Sequence, residues 1–226
     1  MKKSEYEMVE QYMLTCMTDC AHDKEHVYRV LYNALEIAQT EQEVDYDVLI
    51  SACLLHDIGR KEQFENPDLC HAMVGAEKAY TFLRTNNFSE EFADNVQHCI
   101  KTHRYRNDNR PESLEAKILF DADKLDVTGA IGIARTLLYK AQVEEPLYTL
   151  NSDGSISNGE NDERPSFFQE YKYKLEKIYN HFYTNKGKEI AKQRQKAAID
   201  FYNSMLLEVE SSYEIGRYEL TQHIDK

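Results

Sequence analysis

Nowhere in the 226-residue chain does an apolar run approach the ~20 residues that cross a bilayer, so no membrane-spanning segment is expected. Basic charge is scarce as well: 27 Lys and Arg stand against 40 Asp and Glu, a formal net charge of −13. A surface that binds long nucleic acid needs a basic patch, which argues against such a partner but not against a small anionic substrate held by a metal ion. Paired CxxC motifs are missing, and the five cysteines, Cys16, Cys20, Cys53, Cys70 and Cys99, are odd in number. No disulfide framework follows from that pattern, and the expected setting is the reduced cytoplasm. Met1-Lys2-Lys3-Ser4-Glu5-Tyr6-Glu7 lacks a signal-peptide core, in keeping with that setting. Cys16 and Cys20 share a helix face but lack two further soft ligands, so they are expected to be inert. Strand patterns, internal repeats and an evident covalent nucleophile are also wanting.

What the chain has is helix. Hydrophobic residues make up 42% and charged residues 30%, ordinary for a globular protein with a full core. Residues 6–18 read as a first amphipathic helix. Asp23 is placed to cap a second, with His26, Val27, Val30, Leu31, Ala34 and Ile37 at i, i+3, i+4 spacing. Residues 48–57 are apolar nearly all round and should lie at the centre. Gly59 is expected to end that helix, and Asn66-Pro67 to begin a loop. Further helices are expected at 71–84, 89–103, 113–127 and 131–142, with Ser89 and Ser113 as caps. Residues 151–164 are polar and turn-forming, an exposed loop or hairpin. Past Pro165 two long helices are expected, the second with Ile190, Ala191, Arg194, Ala197, Ala198, Phe201, Met205, Leu206 and Val209 on one stripe. The expected organisation is a helical core over 1–150, a loop over 151–164, and a C-terminal extension over 165–226. That extension would pack on the core and offer a lid or a homodimer surface.

The chemistry gathers in Ala52-Cys53-Leu54-Leu55-His56-Asp57-Ile58-Gly59-Arg60, where an apolar helix ends in an imidazole and a carboxylate. Together they suit a borderline or hard divalent ion such as Zn, Mn, Fe or Mg. Neighbours on a helix point about 100° apart, so the pair alone says little. His26 upstream and Asp123 downstream, each in its own helical pattern, supply the ligands that would close around one ion.

These residues resemble the H…HD…D signature of the HD-domain metal-dependent phosphohydrolases. Asp23-Lys24-Glu25-His26-Val27-Tyr28-Arg29-Val30 is similar to the family's first motif, and Asp121-Ala122-Asp123-Lys124-Leu125-Asp126 to its last. The resemblance covers residues 21–135 and implies an all-α helical bundle with His26, His56, Asp57 and Asp123 on the metal. His71 and His103 resemble the motifs that supply a second metal in some branches, implying up to two ions; the alternative is that they contact phosphate or face water. Arg60 and Lys61 stand where the alarmone hydrolases have Glu-Asp. Arg60 also replaces the glutamate of the 5′-deoxynucleotidases and the histidine of the dNTP triphosphohydrolases. The string His56-Asp57-Ile58-Gly59-Arg60 is closer to the HDIGK form of phosphodiesterase-like branches.

The expected activity is therefore hydrolysis of a small nucleotide-like phosphate compound, as phosphomonoesterase, phosphodiesterase or pyrophosphohydrolase. Asp57, Arg60 and Asp126 are the expected catalytic groups, and Arg29, Arg60, Lys61, His71 and His103 the expected phosphate contacts. Lys124 reads as a surface ion pair. Two alternatives stay open: a di-iron oxygenase built on the same six ligands, and a metal-bearing domain that only binds a ligand. His98 is expected to be structural, and His22, His181 and His223 to lie at the surface.

Overall fold

The structure is a computed structural model that describes residues 1–17, 24–104 and 109–224. It is all-helical, as expected. Among the described residues there is no strand, only a single antiparallel bridge between Leu150 and Ile156. The chain divides into two compact units, Met1–Asp126 with Phe182–Lys188, and Val127–His181 with Glu189–Lys226.

The first unit holds α1 (Lys3–Cys16), α2 (Lys24–Ala38), α3 (Tyr46–Leu55), α4 (Arg60–Glu65), α5 (His71–Thr85), α6 (Glu90–Thr102) and α7 (Leu114–Leu125). Helix α3 is the hub, in contact with α1, α2, α5, α6 and α7. Its composition dictates that place: Val48, Leu49, Ser51, Ala52, Cys53, Leu54 and Leu55 are all buried, and only Tyr46, Asp47 and Ile50 in its first turns reach toward water. Asp45 starts the helix by accepting hydrogen bonds from the amides of Asp47 and Val48, both at 3.0 Å. Helix α2 buries one stripe, Val27, Val30, Leu31, Ala34 and Ile37, and His26 extends that stripe to its first turn. Ser89 and Ser113 cap α6 and α7 through their hydroxyls, as the sequence indicates. The Asp23 cap, Cys20 and His22 lie outside the described residues.

Two local expectations change. Residues 60–65, between Gly59 and the Asn66-Pro67 loop, where the sequence leads to no expected element, form the short helix α4. Gly59 is needed for closeness and not for a left-handed turn: its φ is −95°. A Cβ there would lie 2.4 Å from the His71 carbonyl oxygen and 2.6 Å from the Gly75 amide nitrogen. The turn after α3 therefore rests backbone to backbone on the first turns of α5.

The second unit holds α8 (Gly129–Gln142), α9 (Phe167–Glu170), a π-helical turn (Tyr171–Leu175), a 3-10 turn (Ile178–Asn180) and most of α10 (Asn185–Ile224). The two long helices expected after Pro165 are thus one broken helical segment and one helix of 40 residues. Its core is Ile133, Ile156, Phe167, Phe168, Tyr171, Leu175, Ala198 and Tyr202. Tyr202, stacked on Tyr171 at 4.0 Å, takes the inward place expected of Phe201, which is exposed. The division also differs from the expected boundary near residue 150. It falls after Asp126, and residues 182–188 return to the first unit, where the buried Asp121 accepts from the amides of Tyr183 and Thr184 and from the Thr184 hydroxyl. No helix is long and apolar enough to cross a membrane among the described residues.

Candidate metal centre

Helix ends deliver every group of the site. His26 sits in the first turn of α2, His56 and Asp57 just past α3, His71 at the first position of α5, His103 just past α6, and Asp123 in the last turn of α7. Five of these side chains are at most 2% exposed, and Asp123 is 15% exposed. Such groups are buried at a cost that only pairing or a ligand repays.

Each of the four imidazoles is tethered through Nδ1. His26 Nδ1–H donates to Asp126 Oδ2 at 2.7 Å, His56 to the Cys53 carbonyl at 2.7 Å, His71 to Gln63 Oε1 at 2.6 Å, and His103 to the Ile100 carbonyl at 2.7 Å. A neutral ring that donates from Nδ1 carries its lone pair on Nε2. All four Nε2 atoms turn inward. His26 Nε2 and His56 Nε2 lie 3.4 Å apart. Two lone pairs cannot bond each other, so that approach makes sense only with something positive between them.

The carboxylates complete two triads, His26–His56–Asp123 and Asp57–His71–His103, with donor atoms inside each triad all within 4.8 Å of one another. Asp57 joins them. Its Oδ2 is 3.5 Å from His26 Nε2 and 3.6 Å from His56 Nε2, while its Oδ1 is 3.6 Å from His71 Nε2 and 3.7 Å from His103 Nε2. Asp123 Oδ1 lies 3.5 Å from His26 Nε2. Donors at ~2.1 Å from one ion stand about 3.0–3.5 Å from each other, and the observed 3.4–3.7 Å starts at the upper end of that range and runs slightly beyond it. Asp57 Oδ2 and His71 Nε2 are buried and make no hydrogen bond. Orphaned buried acceptors facing a cluster of their own kind fit a divalent ion.

Charge agrees. Burial pushes His56 down to about 4 and His71 to about 2, so both rings are neutral at pH 7 and able to ligate. Burial alone would raise Asp57, but Arg60 and the surrounding imidazoles hold it well below the usual carboxylate range. Lys124 and His26 overcome burial in the same way for Asp123. The centre therefore presents neutral imidazoles at His56 and His71 and two ionised carboxylates.

The cations are placed differently from expectation. Arg60 donates Nε–H to Asp57 Oδ1 at 2.9 Å and so stands at the site's edge, 27% exposed. Arg29 does not face the cluster; its Nε and one terminal nitrogen hold Asp126 at 2.8 and 3.1 Å. Asp126 itself, expected among the catalytic groups, is committed to His26 and Arg29 behind the ring. Lys61 is exposed on α4, where its charge acts on Glu62. Lys124, expected at the surface, is buried, with Nζ 2.8 Å from Asp123 Oδ2 and 4.8 Å from the Phe120 ring centre. Gln63 has no counterpart in the sequence reading. The available signal is general: a histidine that ligates metal needs an acceptor on its second nitrogen. His98 is half-buried, and His181 and His223 are exposed.

An all-helical unit whose helix ends converge on histidines and aspartates in the order H…HD…D is the arrangement of the HD class, and residues 24–128 of the chain match the HD domain. Among relatives, the chain is 26% identical over 205 residues to the uncharacterized protein YpgQ of Bacillus subtilis, covering 88% of this chain and 91% of that one. The crystal structure of YpgQ in complex with ADP superposes with a TM-score of 0.70 at 22% identity, over 90% of this chain and 97% of that one. A predicted HD superfamily hydrolase from an uncultured Thermotogales bacterium matches at a TM-score of 0.58 and 29% identity, over 91% and 92% of the two chains. An HD-superfamily hydrolase from Bacillus thuringiensis matches at 0.69 and 25%, over 92% and 98%.

Proposed function

We propose that this protein is a metal-dependent phosphohydrolase acting on a small nucleotide-like phosphate compound, with two divalent ions held by His26, His56, Asp123 and by Asp57, His71, His103. The observation that carries this reading is the convergence of four Nε2 lone pairs on both oxygens of Asp57. Bound there, a divalent ion lowers the pKa of its water and polarises a phosphoryl oxygen. The protein's own part is to position and to neutralise. Arg60 uses Nε on Asp57, which leaves the two terminal nitrogens of its fork for a phosphate at the mouth of the site. Neutral histidines keep the total negative charge small, so an anionic substrate is not repelled. The nucleotide character is supported by the ADP bound in the similar YpgQ structure.

The test is an anaerobic screen of nucleoside mono-, di- and triphosphates and phosphodiesters with Mn or Mg added. Release of phosphate, pyrophosphate or nucleotide is expected, with loss of activity and metal in His56→Ala and Asp57→Ala at unchanged helical content. The six-donor set also fits a di-iron oxygenase. Activity that requires iron and consumes dioxygen would replace the hydrolase reading with that one.

A further inference from the structure

The two triads carry similar donors, but what stands behind them differs. Behind His26 is a carboxylate, Asp126, on Nδ1 at 2.7 Å, and Asp123 adds a second negative charge in front. Arg29 on Asp126 and Lys124 on Asp123 balance those two charges. Behind His71 is a neutral amide, Gln63 Oε1, at 2.6 Å, and behind His103 a backbone carbonyl. The carboxylate of this second triad is Asp57, whose other oxygen faces His26 and His56. The cations nearest it are Arg60 on Asp57 and Arg104, whose charge reaches His71. The first half-site is thus electrically balanced around its ligands, and the second is surrounded by surplus positive charge.

An acceptor on Nδ1–H fixes the ring's tautomer and makes Nε2 more basic, and an anionic acceptor does so more than a neutral one. We propose that Gln63 is the positioning residue of the second half-site, and that its neutral amide, standing where His26 has Asp126, leaves the ion on Asp57, His71 and His103 the weaker held and the last to bind. The proposal rests on the two-ion reading above. Gln63 lies on α4, directly after the turn that carries Asp57, so the continuous stretch 57–63 holds both the shared carboxylate and the support of the second imidazole.

The experiment strips the full-length protein with chelator and titrates it with Mn(II), following heat and the free Mn(II) spin signal. Wild type is expected to take up two ions in two resolved steps. Gln63→Leu should weaken the second step ten- to a hundredfold and leave the first unchanged. Gln63→Glu should tighten the second step beyond wild type, and Asp126→Asn should weaken the first step instead. A merely structural role for Gln63 would shift both steps together, and that result, or no shift in either, overturns the proposal. Wild-type uptake of a single ion, lost in His56→Ala, overturns the two-ion reading itself, before any Gln63 variant is compared.

Discussion

His26 and Asp126 lie 100 residues apart in sequence, and Nδ1 of the one is 2.7 Å from Oδ2 of the other at 1% exposure each. This contact joins the first turn of α2 to the cap of α7, and Arg29 closes it from outside with two hydrogen bonds. A buried carboxylate with a cation on one side and an imidazole on the other is held in a single orientation.

Arg29→Ala removes the cation from Asp126 and keeps the Asp126–His26 contact. The expected loss is about 2 kcal/mol of folding stability, since hydrogen bonds to a buried charge are costly to break. Arg29→Lys should recover less than half of it, because an ammonium cannot reproduce the two-pronged contact. Urea unfolding of the metal-free protein measures both; equal stability of Arg29→Ala and wild type would refute the role.

Acid should unfold the metal-free protein early. Burial lowers His56 from 6.5 to about 4 and His71 from 6.5 to about 2, so the unfolded chain binds more protons than the folded one below about pH 6.5. Stability is fully present above that pH and falls as the solution is acidified toward 4. For His56 alone the loss by pH 4 is about 3 kcal/mol. Asp57 and Asp123, both held below the usual carboxylate range, add to the loss at lower pH still. Unfolding in chelator at pH 7.5, 6 and 5 tests this, and a flat profile would contradict it.

Arg60→Ala should separate binding of metal from turnover. With Mn(II) in excess the two ions stay bound, because the nitrogen ligands are untouched. Hydrolysis should fall on the order of a hundredfold, the cost of losing a charged donor to a developing oxyanion. Undiminished turnover would move the phosphate away from Arg60.

The glycines at the α3–α5 contact should differ in a set order. Gly59→Ala drives a Cβ to 2.4 Å from the His71 carbonyl and should cost about 2 kcal/mol. At Gly75 the nearest atoms are 3.3 and 3.4 Å away, and alanine favours the helix by up to about 1 kcal/mol, so Gly75→Ala should cost less. Thermal melts give the order directly, and a reversed order would show the turn to be yielding.

Much of the His/Asp cluster is legible in the chain because it is built at helix ends. His26 opens an apolar stripe, which turns it inward, and His56-Asp57 closes an apolar run, which sets both at the end of a buried helix. Lys124 could not be read so: it follows Asp123 directly, which suggests divergent directions, yet its Nζ lies over the Phe120 ring and reaches Asp123 Oδ2. Gln63 was hidden in a six-residue helix too short for any periodic signal. Composition shifts at 151–164, whereas packing sets the unit boundary at Asp126. The return of residues 182–188 depends on Asp121, a long-range contact that no local pattern reveals.

The four imidazoles are not equally open to adjustment. His56 and His103 each donate to a carbonyl three residues back in their own chain, Cys53 and Ile100, and no substitution removes a peptide oxygen. His26 and His71 lean on side chains, which any single codon change can replace. Tuning of this cluster's ring nitrogens thus has two adjustable screws, Asp126 and Gln63, set in a frame whose other two bearings are fixed by the backbone itself.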